Sequence, residues 1–318
     1  MASERMSLSD IIQIEERGNT MDLVSVIIPC YKQAHFLGEA IESVQAQTYR
    51  RHEIIVIDDE SPDNTAEVAG RYPSIRYFRQ RRQERSAARN RGLRESAGDF
   101  VVFLDADDRL LPHHFQACLD VFHSNPEAGL VCGDYRWVGH DTAAHRHDCR
   151  PRPDHYGALL RSNFIGPPHT VMFRQEVLSR LGGFTPHLKS CEDQDLYLRV
   201  ARHHPMYCHH TVIAEYRWHD EQTSRHWDVM LQSAMQMLQS HIEVVAGHSA
   251  YERAWEEGLE RRQRMYGDPL IWAMVAAARQ GNWLRAIRFF RVLLRHYPKG
   301  LWSLVRHKAE RLSHSASV

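Results

Sequence analysis

With 318 residues, 43% of them hydrophobic and 25% charged, the chain is long enough to bury one large core or two modest ones. Forty Lys and Arg against forty Asp and Glu leave no net charge, which removes the usual electrostatic case for a nucleic-acid partner. The opening MASERMSLSD lacks the basic start and apolar run of a secretory signal, and no stretch reaches the ~18 apolar residues of a membrane span, so a cytoplasmic protein is expected.

From residue 24 short β-branched runs alternate with helical periodicity, the rhythm of βαβ units and a mainly parallel sheet flanked by helices. VSVIIP (24–29) reads as a buried strand, and FLGEAIESVQAQ (36–47) as a helix with Phe36, Leu37, Ala40, Ile41 and Val44 on one face. EIIVIDD (53–59) is the second strand, followed by a turn and helix cap at Ser61, Pro62 and Asp63. IRYF (75–78) is a third strand and SAARNRGLRESA (86–97) a helix. DFVVFLDADD (99–108) is a fourth strand, then come a helix over 113–125 and a strand over 129–138. Residues 139–160, polar and rich in His, Arg and Pro, are expected as a loop or acceptor-side insertion. After residue 228 the pattern is helical, broken near Gly281–Asn282 into a hairpin. The expected division is a leader over 1–21, an α/β catalytic domain over 22–227 and a helical C-terminal region over 228–318.

Cys30, Cys118, Cys132, Cys149, Cys191 and Cys208 contain no C-x-x-C pair, so they read as reduced and structural. The group His203, His204, Cys208, His209 and His210 matches no metal-ligand spacing and reads as structural too.

Three acidic sets carry the candidate chemistry. Asp58–Asp59 ends an apolar strand, where a carboxylate can cap a turn or accept a hydrogen bond from a pyrimidine N3–H. Asp105, Asp107 and Asp108 follow VVFL; three carboxylates in four residues repel one another unless water or a cation offsets the charge. Hard Mg2+ or Mn2+ prefers such oxygen ligands together with phosphate. In Glu192-Asp193-Gln194-Asp195, Asp193 and Asp195 cannot share a helix face, so one of them is expected to look into a site, where it could take a proton from a hydroxyl. The structural alternative there is helix-dipole stabilisation by acids in a first turn.

VSVIIPCYKQAHFLGEAIESVQAQTY, EIIVIDDESPDNT, SAARNRGL, GDFVVFLDADDRLLP, FRQEVLSRLGGF and EDQDLYLRVA, in that order over roughly 22–225, resemble family 2 glycosyltransferases of the GT-A fold. The resemblance implies inverting transfer from a nucleotide-sugar. By position it assigns Pro29 and Tyr31 to the nucleotide pocket, Asp59 to the base with Asp58 in support, and Asp105 and Asp107 to ribose and metal. It also makes Asp193 the general base, and brings Arg217 and His219 toward diphosphate or metal, with Asp108 close by. The implied metal set is Asp107, Asp108 and His219 around Mn2+ or Mg2+, and the implied donor is a UDP-sugar.

Two departures stand out. Glu60 occupies the place where the family has glycine, and RQRRQER (79–85) replaces a Gly-containing loop. Between Arg79 and Arg94 seven arginines stand against one acid, Glu84, and among them Arg89 is the candidate for the site. The processive Q-x-x-R-W motif is missing, so single transfer to a glycan, lipid-linked or other hydroxyl acceptor is expected. A sugar-phosphate nucleotidyltransferase would need a Gly-rich phosphate loop, which VIIPCYKQAH lacks. A non-catalytic nucleotide-sugar-binding scaffold is the alternative from another class.

From 283 to 318 eight Lys or Arg face one acid, Glu310, interleaved with Trp283, Phe289, Phe290, Tyr297 and Trp302. That tail reads either as a solvated helical face beside a packed stripe or as peripheral contact with the inner face of a membrane.

Overall fold

The computed structural model describes residues 22–139, 146–147, 152–219, 222 and 225–302. The leader 1–21, Cys149 and residues 303–318 therefore lie outside the described residues.

Among the described residues nine strands form one sheet in the order β3-β2-β1-β4-β8-β6-β9-β5, with β7 pairing β6. Strands β1 (Val24–Cys30), β2 (His52–Asp58), β3 (Arg76–Arg79) and β4 (Phe100–Phe103) pair in parallel. Helices α1 (Ala34–Gln45), α2 (Thr65–Gly70) and α3 (Glu84–Glu95) supply the crossovers. Alternation drives this half. Val24, Val26 and Ile28 of β1 pack on one side of the sheet and Ile27 on the other, all fully buried.

The other half is mixed, so the mainly parallel pattern holds only from β1 to β4. Strand β8 (Val171–Arg174) runs antiparallel to both β4 and β6 (Leu130–Val138). Strand β9 (Met206–Arg217) runs parallel to β6 and antiparallel to the short β5 (Arg109–Leu110). The fourth strand ends at Phe103 rather than continuing through the acids, because Asp105–Asp108 form a turn closed by Asp108 N–H donating to Asp105 O at 3.0 Å. The order 3-2-1-4 reverses direction beside β1, and that reversal opens a crevice at the carboxyl ends of β1, β2 and β4.

Helix α4 (His114–Ser124) lies with α1 and α2 on one face. The opposite face carries α3, α5 (His155–Arg161), α6 (Gln175–Leu181) and α7 (Glu192–Ala201). The polar stretch 139–160, expected as a loop or acceptor-side insertion, contains β7 (Arg146–His147) and all but the last residue of α5; residues 140–145 and 148–151 lie outside the described residues.

The C-terminal helices are α8 (Trp227–Ser240), α9 (Ile242–Val245), α10 (Ser249–Arg279) and α11 (Trp283–His296). Gly281, at φ 75°, makes the turn between the last two, and Asn282 caps α11 by accepting from Arg285 N–H. These helices share one core with the sheet: Leu231, Leu270 and Leu293 belong to the same buried cluster as Ile27 and Ile57. Buried Arg262 of α10 fastens them further by donating to the carbonyls of Leu159, Leu160 and Gly258. It thereby satisfies the open C-terminal carbonyls of α5.

Candidate active site

The crevice holds two adjoining cavities. The larger, about 420 Å3, is lined by Pro29, Tyr31, Asp59, Arg82, Arg85 and Lys189 among others. The smaller, about 170 Å3, is lined by Arg85, Arg89, Asp108, Asp193, Tyr216 and Tyr266 among others. Arg85, Asp105, Asp107 and Gln222 line both. The acids of three separate chain segments, Asp59, Asp105–Asp108 and Asp193, therefore border two cavities that adjoin.

Asp58 ends β2 fully buried, accepting from Ser61 N–H at 2.8 Å and Tyr77 O–H at 2.6 Å. That binding leaves it holding the turn. Asp59, also buried, accepts from Gln80 Nε2 at 2.8 Å and from Gln83 and Glu84 N–H at 2.9 Å each. The basic segment 80–84 is thus tied down onto the very carboxylate that the resemblance assigns to the base. Arg82 completes the cover, with its guanidinium on the Tyr31 ring. Glu60 adopts φ 64°, the left-handed conformation that explains why glycine suits this position, and its carboxylate accepts from Arg82 N–H at 3.2 Å. Lys32, Glu84 and Cys191 are the other non-glycine residues at positive φ among the described residues, and all three line these cavities.

Asp105 and Glu192 are joined through Arg89. Its Nη2 donates to Asp105 Oδ1 and its Nη1 to Glu192 Oε1, each at 2.6 Å, from a fully buried position. Burial acts to raise the Asp105 carboxyl, but the Arg89 and Arg85 guanidinium groups outweigh it and hold it at about 2. Arg89, expected as a donor contact, is spent on this internal bridge. Exposed Arg85, which sequence reasoning passed over, is the arginine of α3 that reaches both cavities.

Asp107 Oδ2 lies 2.9 Å from His219 Nε2. Asp108 is buried and uses both oxygens on protein groups: Oδ1 accepts from Arg217 N–H at 2.8 Å and Oδ2 lies 3.0 Å from His169 Nδ1. Burial pushes its carboxyl up to about 6 even with His169 beside it. One oxygen from each of Asp105, Asp107 and Asp108 falls within 4.8 Å of the others, a donor set that suits a hard divalent cation. Of the expected metal set, Asp107 and Asp108 belong to this cluster together with Asp105, whereas His219 meets Asp107 but lines neither cavity. Arg217 departs from expectation. Its Nε donates to the Asp107 carbonyl and its Nη2 to Glu39 Oε2, and it lines neither cavity.

Asp193 is the second residue of α7, whose N-cap Cys191 is held at φ 59°. Its carboxylate accepts from Gln194 N–H at 2.8 Å and borders the smaller cavity. Burial, then the adjacent Glu192 carboxylate, pushes it up to about 7. Asp195 points elsewhere, pairing with Arg199 at 2.9 Å and Thr185 at 2.7 Å. The helix period separates the two acids as the sequence implied.

Residues 25–182 match the family model described as glycosyl transferase family 2. The chain carries a family 2 glycosyltransferase domain. An uncharacterised glycosyltransferase of Rickettsia typhi is 31% identical over 212 residues, 64% of this chain and 66% of that protein. The glycosyltransferase YibD of Escherichia coli is 37% identical over 105 residues, 32% of this chain and 30% of its own length. The chain spans between about a third and two thirds of the length of these curated relatives. Among solved structures, S. aureus TarS 1–349 aligns with a TM-score of 0.60 at 18% identity, over 86% of this chain and 81% of that one. A mannosyltransferase of Pyrobaculum calidifontis, solved with GDP-Man and Mn2+, aligns with a TM-score of 0.54 at 18% identity, over 90% of this chain and 88% of that one. At such identity the likeness speaks to fold, and the fold is GT-A. The glycosyltransferase family match stops before α7 and the end of β9, so the roles of Asp193 and His219 rest on the geometry of the crevice.

Proposed function

We propose that the chain is an inverting, non-processive glycosyltransferase moving a sugar from a UDP-linked donor to a hydroxyl acceptor, in the synthesis of a bacterial-type surface glycan or glycoconjugate. The observation that carries this reading is that Asp193 lines the same cavity as Asp105 and Asp107, next to the cavity formed by Pro29, Tyr31 and Asp59. TarS structures solved with UDP and with UDP-GlcNAc support the choice of a uridine donor.

In this reading the larger cavity takes the nucleotide, with Tyr31 and Asp59 at the base and Lys32, Arg85 and Lys189 near the diphosphate. Asp107 and His219, with Asp105 alongside, would hold the divalent cation. Bound there, the cation supplies charge neutralisation for the departing diphosphate. The Arg89 bridge fixes Asp105 relative to Glu192, and so fixes the distance from the donor to Asp193. Asp193 accepts the acceptor's hydroxyl proton as the oxygen attacks the anomeric carbon opposite the nucleotide. Proton transfer of this kind contributes about 10²–10⁴ in rate.

A panel of nucleotide-sugars with Mn2+ tests the reading through thermal stabilisation and nucleotide diphosphate release without acceptor. Release from one UDP-sugar, abolished by chelator and by Asp107→Asn, is expected. Pyrophosphate release from a nucleoside triphosphate would instead identify a nucleotidyltransferase, and stabilisation without turnover a binding scaffold.

A further inference from the structure

Helix α11 carries two apolar stripes. One, Ala286, Phe289, Val292 and Leu293, is buried against the C-terminal helices. The second is in solvent: Trp283 is 64% exposed, Ile287 47%, Phe290 45% and Leu294 55%. Their spacing of i, i+4, i+7 and i+11 confines all four to about 60° of the helix circumference. Leu284, at 86% exposure, lies just beside them, and Trp302 beyond the helix is 69% exposed. An aqueous surface gains nothing from such a row, and its length of about 17 Å is far greater than one stray side chain needs.

The charge beside the stripe identifies what covers it. Residues 283–302 contain Arg285, Arg288, Arg291, Arg295 and Lys299 and no acid. Arg288 is paired with Asp228 at 2.5 Å, while Arg285, Arg291 and Arg295 are exposed. At 100° per residue Arg291 and Arg295 fall along one border of the stripe. A second copy of the chain would match the spacing, since i, i+4, i+7 is also a helical seam. It would, however, set two all-cationic borders against each other with no acids between them. An anionic lipid surface fits both features at once: headgroup phosphates meet the arginines, and Trp283, Ile287, Phe290 and Leu294 enter the acyl boundary. No helix among the described residues is long and apolar enough to cross a membrane, so contact of this kind lies in the interface plane.

We propose that α11 docks the protein on an anionic bilayer, lying in the headgroup layer on its Trp283–Ile287–Phe290–Leu294 face. Such docking would present the crevice to acceptors held at that surface, an inference independent of which sugar is transferred.

The test is co-sedimentation of the full chain with vesicles of phosphatidylcholine containing about a third phosphatidylglycerol, against pure phosphatidylcholine. Binding to the anionic vesicles, weakened by salt, is expected. The double variant Ile287→Asp/Phe290→Asp should lower the partition coefficient at least about tenfold. Arg291→Glu/Arg295→Glu should lose the preference for anionic lipid. Both pairs are solvent-exposed, and circular dichroism melting checks that each variant folds. Equal binding by wild type and the Asp double variant overturns the proposal, as does no binding to either vesicle. Light scattering that finds a dimer dissociated by the Asp double variant, without vesicle binding, would assign the face to a second copy instead.

Discussion

The guanidinium carbon of Arg82 lies 3.8 Å from the centroid of the Tyr31 ring, and its Nη1 donates to the Tyr31 hydroxyl at 2.5 Å. A planar cation therefore occupies the aromatic face that family position assigns to the nucleobase. A base arriving there must first displace it, at a cost on the order of 1 kcal/mol for a solvent-exposed cation–π contact. Arg82→Ala is expected to tighten UDP binding by about threefold to tenfold in calorimetry. Weaker binding would mean that Arg82 grips the nucleotide rather than standing in its way.

Glu60→Gly removes a left-handed non-glycine residue, a conformation that costs roughly 1–2 kcal/mol for an L side chain. The lost hydrogen bond from Arg82 N–H is exposed and contributes less than that. The variant should melt a few degrees higher, and the 80–84 segment should exchange its amide hydrogens faster. A lower melting temperature would show that the Glu60 carboxylate contributes more than the strain.

Arg89 has no substitute of equal geometry. Arg89→Met leaves Asp105 and Glu192 facing each other in a buried site, and breaking such a network by one partner typically costs about 3–5 kcal/mol. Arg89→Met/Glu192→Gln should recover part of that stability without recovering turnover, because Asp105 still lacks its fixed partner. Urea unfolding and donor hydrolysis read the two effects separately.

In the proposed mechanism Asp193 sets the pH dependence. As a base it must be ionised, so turnover should fall as pH drops below about 7, and Asp193→Asn should abolish that limb together with activity. Mn2+ bound with the donor adds positive charge nearby and should move the limb to lower pH. Stability runs the opposite way. The folded value lies above the unfolded one of about 3.9, so the folded state holds the proton more firmly and loses that advantage as pH rises through about 7. Asp193→Asn, with no charge to bury, should be more stable than wild type at pH 8 and match it below pH 4, as measured by thermal melts without metal.

The parallel half of the sheet and the position of its acids were legible in the sequence, since fully buried strands read as unbroken apolar runs and only their ends admit carboxylates. VSVIIP, EIIVID and VVFL fall on β1, β2 and β4 within a residue or two. The antiparallel half was less legible, because β8 and β5 are short and their pairing depends on partners far along the chain. Nor did the basic run 79–94 disclose which arginine turns inward. Arg85 and Arg89 share one helix face and both meet Glu192 of α7, but only Arg89 is also gripped by Asp105 from the turn after β4.

Sequence by itself determined which residues could bear the chemistry: acids at strand ends, Asp193 split from Asp195 by the helix period, and a glycine position filled by Glu60. Tertiary structure alone decided their partners. Glu192 meets Arg89, His169 meets Asp108, Arg217 is drawn away to Glu39, and Tyr266 of a C-terminal helix enters the cavity of Asp193. The physical reason is that composition and periodicity record how a residue relates to its own segment. The environment that fixes a carboxylate's charge is built by side chains from segments a hundred residues away.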